Sequence, residues 1–85
     1  MYGTSFSREA AKALSKMPTN TAKLILSKID RLAADPFAPN NNVKKLVGRS
    51  GYRLRVGDWR VIYDLDTGVR VLEVERIAPR GGAYP

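Results

Sequence analysis

Eighty-five residues with fifteen Lys plus Arg against eight Asp plus Glu, a net charge of +7, describe one small basic domain over residues 1–85 and leave no room for a second. The chain has neither cysteine nor histidine, which excludes disulfides, thiolate nucleophiles, cysteine metal sites and the commonest metal ligand and acid–base residue. No metal or cofactor site is expected, and any catalysis must run on Tyr, Lys, Arg, Asp, Glu, Ser or Thr.

Tyr2, Thr4 and Phe6 alternate with small or polar residues, which predicts a short first strand. Met1 to Thr4 carry no basic region leading into an apolar run. No stretch nears the roughly 18 apolar residues of a membrane span, so a cytoplasmic chain without membrane contact is expected. Ser7 followed by Arg8-Glu9-Ala10 offers an N-cap with an acid in the first turn, and Ala10, Ala13, Leu14 and Met17 then fall on one helical face. Pro18 closes that helix, because the residue before a proline avoids helical geometry. Thr19 or Asn20 can cap a second helix in which Ala22, Ile25, Leu26, Ile29, Leu32 and Ala33 repeat at helical spacing up to Pro36.

Pro36 to Asn42, with two prolines and three consecutive asparagines, reads as a loop. In Tyr52-Arg53-Leu54-Arg55-Val56 the apolar side chains alternate with arginines, so one face enters a core and two guanidiniums project from the other. Gly57-Asp58 supplies a turn into Trp59-Arg60-Val61-Ile62-Tyr63, and Asp66-Thr67-Gly68 a turn into the β-rich run from Val69 to Ile77. The predicted class is α+β, in the order β-α-α-β-β-β. The N-terminal strand and helical hairpin pack on one face of a small, twisted, mainly antiparallel sheet.

The charge is uneven: from Lys44 to Arg60 there are six basic residues and one acidic one, Asp58. Arg53, Arg55, the neighbouring-strand Arg60 and the segment from Arg76 through Arg80 to Tyr84 converge on one sheet face. Guanidinium forks bind phosphate oxygens bidentately, so this face fits an anionic partner such as nucleic acid. Lys44, Lys45, Arg49 and Arg76 are candidate phosphate contacts around it. The alternative is an ordinary solvated basic face. Glu73 and Glu75, two apart on one strand, are expected as partners of basic side chains rather than as paired acid–base carboxylates.

The block Tyr52-Arg53-Leu54-Arg55-Val56-Gly57-Asp58-Trp59-Arg60-Val61-Ile62-Tyr63 resembles the RelE/ParE superfamily of toxins from type II toxin–antitoxin modules, and in particular its RelE-like branch. Lys45-Leu46-Val47-Gly48 is similar to the family's approach to these strands, and Val74 to Tyr84 to its last strand and Arg-containing tail. The resemblance implies one of two activities: RelE-like members cleave messenger RNA in the ribosomal A site, whereas ParE-like members inhibit DNA gyrase without being nucleases. Fold alone does not choose between them. The basic positions at Arg53, Arg55, Arg60 and Arg80, with Tyr84, resemble the RelE-type site. Two departures stand out: Arg rather than Lys at Arg53 and Arg55, and a short Arg80-to-Tyr84 spacing.

The chemistry implied by the resemblance is metal-independent attack of a ribose 2′-hydroxyl on the adjacent phosphate. Tyr84 would be the base, with Glu75 as fallback. Arg53, Arg55 and Arg60 would stabilise charge on phosphorus, and Arg80 would assist the leaving oxygen. The family further implies a cognate antitoxin partner, bound through acidic or amphipathic segments in a hetero-oligomer.

Overall fold

The computed structural model describes residues 1–80. Local chemistry starts the fold. Ser7 adopts extended geometry and its Oγ accepts from the Ala10 amide at 3.0 Å, which satisfies an orphan donor at the start of α1 (Arg8–Lys16). The same hydroxyl donates to the Glu75 carbonyl, so the cap also ties the helix to the last strand. Helix α2 (Thr19–Ala34) follows after Pro18. Its N-cap is Pro18, with no side-chain cap hydrogen bond, which corrects the expectation of a Thr19 or Asn20 cap. Proline presets a φ compatible with helix entry, so Thr19 and Asn20 fall inside the first turn instead.

The sheet contains β1 (Gly3–Phe6), β2 (Val43–Lys45), β3 (Tyr52–Val56), β4 (Trp59–Asp66) and β5 (Val71–Pro79), in the spatial order β1-β5-β4-β3-β2. The expected α+β class and its order are observed, with the three-residue β2 added ahead of the predicted strands. β1 runs parallel to β5; the remaining pairs are antiparallel. The chain therefore leaves the sheet edge at β1, lays down both helices, and returns as a meander from the opposite edge.

The helical hairpin covers one face. Ala10, Met17, Ile25, Ile29, Leu32 and Ala33 pack with Leu54, Val56, Val61, Tyr63, Leu72, Val74 and Ile77 into one buried cluster. Of the six apolar positions expected on α2, four are buried; Ala22 packs partly against the cluster and Leu26 is largely exposed. Tyr63 is fully buried and stacks on Tyr52 with ring centroids 5.4 Å apart, but its hydroxyl finds no hydrogen-bond partner among the described residues. Burial pushes the Tyr63 phenol up to about 12, helped by the neighbouring Tyr52.

Two turns require glycine. Gly57 has φ +57° in the β3–β4 turn. Gly51 has φ +108°, and a Cβ there would lie 2.9 Å from the Tyr63 carbonyl oxygen, so the chain entering β3 touches β4 backbone at a point only glycine fits.

Candidate nucleic-acid interface

Strand alternation determines which charges share the open face. On β3, Leu54 and Val56 enter the core, so Arg53 and Arg55 project the other way; on β4, Val61 and Tyr63 enter it, so Arg60 and Ile62 project. Pairing then places these residues in two rows across the strands. Lys44, Arg53, Ile62 and Arg76 form one row, and Arg55, Arg60 and Ala78 the next.

Arg76 reaches this face only through a register shift. Tyr63 pairs with Val74 and Ile62 with Arg76, which leaves Glu75 as an extra residue on β5. Strict alternation from Leu72 and Val74 would have turned Arg76 into the core; the bulge turns Ile77 inward instead. The bulge also breaks the expected equivalence of Glu73 and Glu75. Glu73 stands opposite Asp64, while Glu75 pairs with Arg49.

The face has an apolar floor: Ile62 and Ala78 are buried together with Leu46, whose loop folds over them. Around that floor, hydrogen bonds position two of the guanidiniums and the chain at Arg80. Arg60 donates from Nη1 to the carbonyls of Trp59 (3.1 Å) and Gly57 (3.3 Å), so its guanidinium is pinned at the β3–β4 turn. Arg55 donates from Nη2 to Asn42 Oδ1 at 3.3 Å. The Arg80 amide donates to the Asp58 carbonyl at 2.7 Å, which anchors the chain leaving β5 to that same turn. A guanidinium fixed before the ligand arrives loses less freedom on binding.

Two adjoining grooves result. One, of about 200 Å³, is lined by Asn41, Asn42, Lys44, Arg53, Arg55 and Arg60. The other, of about 660 Å³, opens towards the helices and takes in Leu24, Lys28, Arg80 and Asp58; both share Asn42, Arg55 and Arg60.

The predicted residues thus divide. Arg53, Arg55, Arg60 and Arg80 come together with Lys44 around the two grooves, and Arg76 lies in the Lys44–Arg53 row. Lys45 is in register with Tyr52, whose side chain packs on the helix-side core, so Lys45 projects away from the basic face. Arg49 is committed to Glu75 by an ion pair. Tyr84 lies outside the described residues. Sequence reasoning missed Leu24, Lys28 and Asn42. The first two were legible as an i, i+4 pair beside the buried stripe of α2, but nothing local says that this edge meets the arginines.

Comparison with known proteins completes the assignment. The sequence model of the family described as the ParE toxin of type II toxin–antitoxin systems matches residues 5–84. No curated protein sequence matches the chain. Among solved structures, the archaeal RelE–RelB complex of Pyrococcus horikoshii is similar at 31% identity, covering 94% of this chain and 96% of the other, with TM-score 0.81. The intact RelBE complex of E. coli superposes with TM-score 0.80 at 20% identity, covering 93% and 96%. A YoeB/ParE toxin from Agrobacterium tumefaciens gives 0.78 at 15% identity, covering 92% and 98%. These last two report the fold alone. With a family match over nearly its whole length and an archaeal relative above 30% identity, the chain belongs to the RelE/ParE superfamily and is the toxin component of a type II toxin–antitoxin module.

Proposed function

We propose that this toxin is an endoribonuclease that inhibits translation by cutting messenger RNA in the ribosomal A site. The observation that carries the reading is the gathering of Arg53, Arg55, Arg60 and Arg80 around two adjoining grooves, with Arg60 pinned by turn carbonyls. Fixed cations stabilise charge that grows on a phosphate without reorganising as the reaction proceeds. In the proposed step the ribose 2′-oxygen loses its proton to the Tyr84 phenolate and attacks phosphorus. The bond from phosphorus to the 5′-oxygen breaks, leaving a 2′,3′-cyclic phosphate, and the departing 5′-oxygen takes a proton from water to become the 5′-hydroxyl. Arg53, Arg55 and Arg60 hold the non-bridging oxygens. Arg80 stabilises the negative charge on the departing oxygen electrostatically, because a guanidinium holds its proton too tightly to be a good donor.

The matched relatives from Pyrococcus horikoshii and E. coli are complexes of RelE with RelB. By analogy this toxin pairs with a cognate antitoxin in a hetero-oligomer, and the basic face supplies the charge complementarity for an acidic segment. The cytoplasm, where messengers are translated, is the matching location.

A second reading is favoured by one observation, the match to the ParE family model: binding and inhibition of DNA gyrase without nuclease activity. Primer extension on messengers from cells briefly expressing the wild type, Arg80→Ala or Tyr84→Phe, with translation running or blocked, separates the two. Cuts made only by the wild type and only during translation are expected. Growth arrest with intact transcripts would overturn the nuclease reading and direct the test to gyrase.

A further inference from the structure

The basic face does not end at the sheet. The larger groove carries the arginine cluster onto α2, where Leu24 and Lys28 stand one turn apart on its rim. Both residues border the buried stripe of Ile25, Ile29, Leu32 and Ala33 without belonging to it. Leu24 is 49% exposed, an open apolar surface beside cations. Lys28 is half-buried and forms no ion pair among the described residues. A lysine in that position lays its methylene stem along the groove wall and keeps its ammonium in the opening.

We propose that Lys28 and Leu24 form a nucleotide subsite next to the reacting phosphate. Lys28 takes a backbone phosphate of the RNA, and Leu24 takes the ribose or base attached to it. The inference rests on the endoribonuclease reading and extends it from the sheet to a helix. The two grooves share Asn42, Arg55 and Arg60, so a single strand crossing that junction meets Lys44 and Arg53 in one direction and Arg80 and Lys28 in the other. A polynucleotide alternates compact negative charge with flat, weakly polar rings. The lysine–leucine pair at helical i, i+4 spacing presents the complementary alternation. Asp58, the one carboxylate among the described residues lining this groove, keeps the surface from being uniformly cationic and favours a strand held at defined points.

The test is binding of a single-stranded 2′-O-methyl RNA, which lacks the attacking hydroxyl, across a salt series. The proteins are wild type, Lys28→Ala, Leu24→Ser and, as an exposed lysine of the same helix outside the groove, Lys23→Ala. Lys28→Ala is expected to weaken binding several-fold at low salt and to reduce the slope of log K against log salt by about 0.7, the contribution of one single-strand phosphate contact. Leu24→Ser is expected to weaken binding with the slope unchanged, and Lys23→Ala to match the wild type. Equal slopes for Lys28→Ala and Lys23→Ala would overturn the subsite while leaving the arginine cluster intact. Absence of salt-dependent RNA binding by the wild type would instead overturn the underlying nucleic-acid reading, and the subsite with it.

Discussion

Arg55 on β3 and Arg60 on β4 are direct cross-strand partners on one face, and neither forms an ion pair among the described residues. Like charges placed directly opposite cost roughly 0.2–1 kcal/mol, so the sheet holds this pair at some expense to its own stability. Arg55→Thr is expected to raise unfolding stability by about 0.5 kcal/mol at low salt, since threonine suits an exposed strand position and relieves the repulsion. The gain should shrink as salt screens the pair. On the proposed endoribonuclease reading, cleavage should fall by about 100-fold or more, the cost of losing one preorganised charge at the phosphate. Urea denaturation at two ionic strengths beside a cleavage assay checks both halves; a destabilised Arg55→Thr would refute the repulsion.

Ser7 joins two parts of the fold through one hydroxyl. Its Oγ accepts from the Ala10 amide and donates to the Glu75 carbonyl. Ser7→Ala loses the cap and leaves a part-buried carbonyl without its donor, an expected loss of about 2–3 kcal/mol. Ser7→Asp restores an N-cap acceptor but cannot donate to Glu75 when ionised, so it should fall between Ala and the wild type. Denaturation midpoints of the three proteins decide this. If Asp is no better than Ala, the cap contributes little and the link to β5 carries the effect.

Features encoded within a few residues were legible before the fold was known. The Ser7 cap, the Gly57-Asp58 turn and the alternation that turns Arg53 and Arg55 outward depend only on near neighbours. β2 was not legible, because Val43-Lys44-Lys45 has no pattern of its own and becomes a strand by pairing with β3. Nor was the bulge at Glu75, which reverses the facing of everything after Val74 and brings Arg76 to the basic side. The arginines of the site were visible in sequence because they lie on adjacent strands. That Lys28 joins them was not legible, because its approach to Arg55 and Arg80 is set by how α2 lies on the sheet.

Tyr63 gives the fold an alkaline limit. Its phenol is raised from its ordinary value of 10.0 to about 12, so as pH rises the unfolded chain releases this proton before the folded one does. The stability tied to the neutral phenol is complete below the unfolded value and is lost as pH climbs through the folded one. The loss amounts to roughly 2–3 kcal/mol across that window. Tyr63→Phe removes a buried hydroxyl that has no partner among the described residues, and is expected to be about 1 kcal/mol more stable near neutrality. The variant's advantage should widen above pH ~10, where the wild-type phenol begins to matter. Urea titrations of both proteins across the alkaline range test this, and parallel curves would refute it.

The Arg49–Glu75 pair separates two roles for Glu75. Both side chains are largely exposed, at 54% and 40%, so breaking the pair should change stability by less than about 1 kcal/mol. Glu75→Gln removes the negative charge and frees Arg49 beside the basic face, which adds to the attraction for a phosphate backbone. Affinity for single-stranded RNA at low salt should therefore rise, with a steeper dependence on salt. On the proposed reading, with Tyr84 as the base, cleavage should persist, because a Glu75 engaged with Arg49 acts as a brace for the 46–51 loop. Folded Glu75→Gln that binds RNA normally yet fails to cut it would assign the base to Glu75. That outcome would also recast Arg49 as the group that orients it.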